Sequence, residues 1–161
     1  MNAVEIMAAL STVEQDHQLV LDKMQALRLA VSGLLEPNTP VGRTLDQLRE
    51  LNSYFVTQLT THLEEEEVTL FPLLERHGPE GPELVTRLRV EHTEIRRQLE
   101  EFGNCLEIAL QLEDTPRAVL RDLLAYGWDF LESLDNHAHV ETQGVHLCLA
   151  RSFQGDAASS P

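Results

Sequence analysis

The sequence contains two pairs of residues that could bind a metal ion, each a histidine followed four positions later by a glutamate: His62-x-x-x-Glu66 and His137-x-x-x-Glu141. On a helix, residues four apart lie on the same face, so each imidazole would project beside a carboxylate. Neutral imidazole nitrogens and carboxylate oxygens are both common ligands of transition metals. Each pair therefore predicts part of a metal site.

A third histidine precedes each pair at the same distance, which suggests two equivalent halves. His17 and His92 lie 45 positions before the histidines of the pairs (62 − 17 and 137 − 92). All six positions fall on predicted apolar helix faces, where two unpaired carboxylates would be costly to bury. Cations at the centre would remove this cost, with the glutamates bridging two metal ions and the histidines as terminal ligands. The candidate ligands are His17, His62, Glu66, His92, His137 and Glu141.

Four long amphipathic segments must position these residues, because apolar side chains recur along them in steps of three and four. The helices are predicted from about 3 to 32, from a capping box at Thr44 to about His77, from Pro82, and from Pro116. The connections between them are short or moderate. The sequence predicts an all-α, antiparallel up-down-up-down four-helix bundle over residues 1–151, followed by a disordered tail over 152–161.

Composition narrows the range of partners. The formal net charge of −15 would repel phosphate backbones and anionic lipid, so neither nucleic acid nor a membrane surface is an expected partner. The chain has no signal-peptide pattern and no apolar run long enough for a membrane span, which predicts a cytoplasmic protein. The acidic surface is compatible with a monomer or a dimer. The exposed acidic residues Glu64, Glu65 and Glu67 are interpreted as a solvated helix face.

The motifs resemble those of the hemerythrin-like, or HHE cation-binding, family of non-haem di-iron four-helix bundles. The matching segments are Asp16-His17, His62-x-x-x-Glu66-Glu67-x-x-Leu70-Phe71-Pro72, Glu91-His92 and His137-x-x-x-Glu141. The resemblance implies a carboxylate- and oxo- or hydroxo-bridged centre of two iron ions. His17 and His62 would bind one iron, His92 and His137 the other, and Glu66 and Glu141 would bridge them.

The sequence departs from the oxygen carriers of that family at two positions. Leu88 lies four residues before His92, where the carriers have a further histidine, and Thr142 occupies the position five after His137, where they have an aspartate. One imidazole fewer predicts that both irons are accessible to small ligands. The expected function is binding of dioxygen or a related small oxidant, for oxygen or redox sensing or storage.

Three alternatives stay open on the sequence. The first is a di-iron enzyme with peroxidase-like or catalase-like activity, or one that reduces nitric oxide, so that the small-molecule ligand is dioxygen, peroxide or nitric oxide. The second is a regulatory protein whose folding responds to metal or oxygen. The third is a zinc or manganese site, because mixed nitrogen and oxygen ligands accept several metals.

Overall fold

A computed structural model describes the backbone of residues 3–76 and 80–157, and the side chains of 17–76 and 80–147. Within these ranges all regular structure is helical. Helix α1 spans Ala3–Gly33, α3 spans Gly81–Leu110 and α4 spans Arg117–Ala157. Between α1 and α3 lie five consecutive helical segments that together form helix α2: Val41–Tyr54, Phe55–Leu59, Thr60–Glu65, Glu66–Leu70 and Phe71–Arg76.

Helix α2 contains two π-helical turns, over Phe55–Leu59 and Glu66–Leu70. The residues at the junctions keep right-handed helical angles, so the helix continues through both turns. The second π turn ends two residues before Pro72, which lacks the backbone N–H that a regular helix would use there. Insertions of this kind are frequent at functional sites, and this one begins at Glu66, a candidate ligand.

Helix α2 begins earlier than the sequence predicts. The capping box predicted at Thr44 is wrong, because the helix starts at Val41 after Pro40, and no side chain caps its first turn. The Thr44 hydroxyl instead lies 3.4 Å from the Pro40 carbonyl oxygen, one turn back along the same helix. The Pro40 carbonyl oxygen also accepts the hydrogen bond of the Thr44 backbone N–H at 3.1 Å.

The four helices pack in a ring, in which α1 contacts α2 and α4, and α3 contacts α2 and α4. This arrangement is a helical bundle, and the predicted alternation of helix direction stays a prediction. Two apolar clusters fill the interior. The larger includes Phe55, Phe102 and Phe130, and the smaller includes Phe71 and Leu88. None of the described helices is both long and apolar enough to cross a membrane.

The C-terminal helix is longer than predicted. Helix α4 extends to Ala157 and therefore includes residues 152–157, whereas the sequence predicts a disordered tail from 152. Residues 158–161 lie outside the described part of the chain, as does His77 at the predicted end of α2. The side chain of Asp16, part of the first matching motif, also lies outside it.

Candidate metal centre

The structure brings all six candidate ligands together in the interior of the bundle, with at least one from each of its four helices. The ring centroids of His17 and His62 lie 5.1 Å apart, and those of His92 and His137 lie 4.7 Å apart. The helical repeat of the sequence thus becomes two histidine pairs of similar geometry. Each pair joins two helices that are consecutive in the chain.

Glu66 lies between the two pairs and presents one carboxylate oxygen to each. Its Oε1 lies 2.7 Å from His62 Nε2 and 3.4 Å from His17 Nε2. Its Oε2 lies 3.2 Å from His92 Nε2 and 3.7 Å from His137 Nε2. Two sets of ligand atoms, each within 4.8 Å of one another, could hold a metal ion, and Glu66 belongs to both.

Glu141 also lies between the pairs, but it is closer to one of them. Its Oε2 is 3.0 Å from His17 Nε2 and 3.9 Å from His137 Nε2. Both carboxylates are almost completely buried, each with 1% of its surface exposed. Two glutamates therefore occupy the centre of the site, surrounded by four imidazoles.

Several buried polar atoms at this centre have no hydrogen-bond partner of suitable geometry among the described residues. They are Glu66 Oε2, His92 Nε2, His137 Nε2 and both carboxylate oxygens of Glu141. Each unsatisfied buried polar group costs free energy, and a group of them in one place requires a reason. Bound cations would give such atoms partners, because neutral imidazole nitrogens and carboxylate oxygens are both ligands of metal ions.

Electrostatics in the metal-free chain favour protonated histidines at this centre. Burial lowers the pKa of His17, but the carboxylates of Glu141 and Glu66 outweigh burial and raise it to about 10. Burial likewise lowers the pKa of His137, and Glu66 and Glu91 raise it to about 9. Protons on these imidazoles offset the buried carboxylates. A cation would have to displace them, so metal binding should release protons.

The pKa of Glu66 is shifted in the opposite direction. Burial alone would raise it, but the four surrounding histidines hold the pKa of this carboxyl well below its usual range. Glu66 is therefore ionised throughout the neutral range and available as an anionic ligand. An ionised carboxylate of this kind is stable in the core only while positive charge surrounds it.

Glu67 has a role that the sequence did not predict. The interpretation of this residue as part of a solvated face is wrong, because its Oε1 accepts a hydrogen bond from His92 Nδ1 at 2.7 Å. Arg96 donates to the same oxygen at 2.9 Å. Glu67 lies in the π turn that starts at Glu66, where the wider helical turn changes the angle between successive side chains. The signal available in the sequence was the Glu66-Glu67 doublet.

Glu91 contacts His137 in the same way as Glu67 contacts His92. Its Oε2 accepts a hydrogen bond from His137 Nδ1 at 3.1 Å, and its Oε1 accepts from Arg87 Nε at 3.0 Å. The sequence matched Glu91 to a family motif without giving it a role. Its position immediately before His92, at the edge of an apolar face, was the signal that could have identified it.

A cavity of about 220 Å³ opens beside three of the four histidines. It is bordered by α1, α2 and α4, and its lining is mainly aliphatic: His17, His62, His137, Gln18, Val20, Leu21, Met24, Leu59, Leu63, Leu134, Ala138 and Thr142. A second cavity of about 290 Å³ lies between α1 and α2 and also reaches His62. Small apolar molecules could approach the site through the first cavity.

The two histidine pairs are unequally exposed, and the access of small ligands to both metal positions stays a prediction. His92 has none of its side chain exposed and does not line the cavity, and Leu88, one turn before it on α3, is fully buried. By contrast, 20% of the His17 side chain is exposed. The missing third-helix histidine is replaced by apolar packing, so the absence of that ligand does not open the site there.

The donor set fits metal ions, since two groups of ligand atoms, His17–His62–Glu66 and Glu66–His92–His137, could each hold one, and Glu141 adds unsatisfied carboxyl oxygens beside them. No curated protein and no solved structure matches the chain significantly. A family model described as the hemerythrin HHE cation binding domain matches residues 8–147, which include every candidate ligand. The chain therefore belongs to the hemerythrin HHE cation-binding domain family.

Proposed function

We propose that this protein is a non-haem di-iron protein that binds dioxygen or a related small oxidant, for oxygen or redox sensing or storage. One observation carries the proposal: the two oxygens of Glu66 face two separate histidine pairs. A carboxylate placed in this way can hold one cation on each side. The family membership favours iron over zinc or manganese. The predicted cytoplasmic location and the alternating helix directions are part of the same proposal.

Each candidate ligand has a specific role in this proposal. His17 and His62 hold one ion, and His92 and His137 hold the other. Glu66 and Glu141 would be shared between the two ions and would balance their charge. When bound, a pair of ferrous ions supplies electrons to a small oxidant. The protein supplies neutral imidazoles, two buried carboxylates and an aliphatic cavity that favours an apolar diatomic molecule over water.

Iron content and optical spectra test the proposal directly. The wild-type protein should bind about two iron ions per chain, as expected for a two-metal site. Admission of oxygen to the reduced protein should produce a charge-transfer band. A band that disappears on removal of oxygen would indicate reversible binding. Undiminished iron binding in both His62→Ala and Glu66→Ala would rule the proposal out.

A di-iron enzyme acting on peroxide or nitric oxide is the second candidate, and the partly exposed His17 beside the cavity favours it. An exposed metal position allows a substrate to bind and a product to leave. Repeated turnover of peroxide or nitric oxide by the iron-loaded protein would support this candidate, provided that His92→Ala abolishes it. A charge-transfer band that persists after oxygen is withdrawn would argue against reversible oxygen binding, and the absence of turnover of either substrate would argue against the enzyme.

A further inference from the structure

The outer nitrogens of two histidines contact carboxylates that are not candidate ligands. His92 Nδ1 lies 2.7 Å from Glu67 Oε1, and His137 Nδ1 lies 3.1 Å from Glu91 Oε2. Both contacts cross between helices, from α2 to α3 and from α3 to α4. In both cases the Nε2 atom of the same ring faces the centre of the site.

We propose that Glu67 and Glu91 are positioning residues for His92 and His137, and that Glu67, which has no acidic counterpart in the repeat, makes this half bind its cation more tightly than the other half. This inference rests on the proposed function, because it concerns the same metal centre. A carboxylate that accepts a hydrogen bond from Nδ1 fixes the tautomer and the orientation of the ring, and makes Nε2 a stronger donor to a metal.

An arginine in turn fixes each of the two carboxylates. Arg96 lies 2.9 Å from Glu67, and Arg87 lies 3.0 Å from Glu91. The glutamates are therefore held on one side by a cation and on the other by an imidazole. Their exposed fractions are moderate, 26% for Glu67 and 14% for Glu91, so water screens their contacts with histidine only in part.

The internal repeat gives Glu91 an acidic counterpart, Asp16 (91 − 75), whose side chain lies outside the described residues, but it gives Glu67 a neutral one. The position equivalent to Glu67, 75 residues later, is Thr142 (142 − 67). This threonine lines the cavity together with His17. A hydroxyl group carries no negative charge and cannot give the charge-assisted hydrogen bond that a carboxylate gives. On the side where the cavity opens, the position equivalent to this supporting carboxylate is thus a neutral residue.

A purely structural role for the two glutamates makes a different prediction. If the ion pairs with Arg87 and Arg96 served only to tie helices and turns together, removal of either partner would have the same effect. A positioning role requires the glutamate, because only the glutamate contacts the histidine. Arg96→Gln should therefore retain most of the metal affinity that Glu67→Gln loses.

The test is a titration of the chelator-treated protein with Co²⁺ against a competing chelator, for the wild type and for Glu67→Gln and Glu91→Gln. The wild type should show one tight and one weaker ion. Each variant should weaken the tight ion by about 10- to 100-fold, the range usual for outer carboxylates of this kind, and leave the weaker ion unchanged. Glu94→Gln, on exposed α3 surface, is the matched control and should bind like the wild type.

A second measurement is the reduction potential of the iron-loaded protein. Glutamine can still accept the Nδ1 hydrogen bond, but without negative charge, so the potential should rise in both variants and stay unchanged in Glu94→Gln. This shift would not follow from a loss of packing. If one variant does not fold in chelator, the other still decides the question.

Failure of this inference differs from failure of the proposed function. A wild-type protein that binds neither Co²⁺ nor iron would contradict the proposed function. Two ions of equal affinity in the wild type, or unchanged affinity and potential in both glutamine variants, would overturn the inference alone. Equal losses in Glu67→Gln and Arg96→Gln would assign a structural role to the ion pair and would also overturn it.

Discussion

The two histidine pairs have the same spacing in the sequence but different surroundings in the fold. In the pair formed by His92 and His137, the exposed fractions of the side chains are 0% and 6%, and both rings contact an outer carboxylate. In the pair formed by His17 and His62, the exposed fractions are 20% and 10%, and both rings line the cavity, whereas in the other pair only His137 does. The half with His92 and His137 is thus the more buried, closed half, and the half with His17 and His62 is the more exposed, open half.

This difference shows that a repeated ligand pattern does not produce two equal sites. The ligands set which metals can bind, whereas the residues around them set how tightly and how accessibly each one binds. In this protein the closed half is suited to retaining an ion, and the open half to exchanging small ligands. The predictions below test this division, from the largest expected effect to the smallest.

Glu66→Gln should abolish binding at both halves, because this residue presents one oxygen to each pair. Glutamine has nearly the same size but no charge, so the change removes the shared anionic ligand and little packing. Metal content after loading with iron or Co²⁺ measures the result. Glu64→Gln, on the exposed face of the same helix, is the control. Retention of one tight ion in Glu66→Gln would show that the halves are independent.

The metal-free protein should become less stable as the pH rises. The pKa values of His17 and His137 are raised from 6.5 to about 10 and about 9, so the folded state binds these protons more tightly than the unfolded state. The resulting stability is fully present below pH 6.5 and is lost as the pH rises through 9 and 10. Urea unfolding in chelator, from neutral to alkaline pH, measures the loss.

A pH titration of the individual histidines distinguishes the two halves. Glu91 contacts His137 and not His17, so Glu91→Gln should lower the pKa of His137 while that of His17 stays high. Histidine NMR signals in the chelator-treated protein report both values. An equal change at both histidines would indicate that the two halves share one electrostatic environment.

Ala138→Phe should slow access to the open half without removing metal. Ala138 lines the cavity, and a phenyl group there would occupy much of the space. The binding rate of nitric oxide to the reduced iron-loaded protein should fall about tenfold, which corresponds to a barrier increase of about 1.4 kcal/mol. Ala118→Phe, at an exposed position on the same helix, should leave the rate unchanged. Equal rates in the two variants would mean that ligands enter by another route.

Asp135→Asn should have the smallest effect. Its carboxylate pairs with Arg28 at 2.6 Å and joins α1 to α4, two of the three helices that border the cavity. Both side chains are substantially exposed, 32% and 52%, so the pair should contribute less than about 1 kcal/mol. Urea unfolding should detect little change, and metal content should not change. A large loss of stability would mean that surface contacts hold the open side together.

The sequence predicted the four helices and the grouping of six candidate ligands because both follow from short-range helical geometry. Residues four apart share a face, and an equal spacing of 45 places each further histidine at a similar depth. The same reasoning failed for Glu67. In a regular helix this residue would point away from the side of Glu66, but the π turn at Glu66–Leu70 changes the direction of its side chain. Its contact partner His92 also lies on another helix.

What the sequence alone determined is therefore the chemistry of the centre: which side chains are available, and that two similar halves exist. Tertiary structure decided how the halves differ. The hydrogen bonds from His92 and His137 to Glu67 and Glu91, the burial of Leu88, and the cavity beside His17 all depend on how neighbouring helices pack. Packing joins residues that are far apart in the chain, and no local periodicity encodes it.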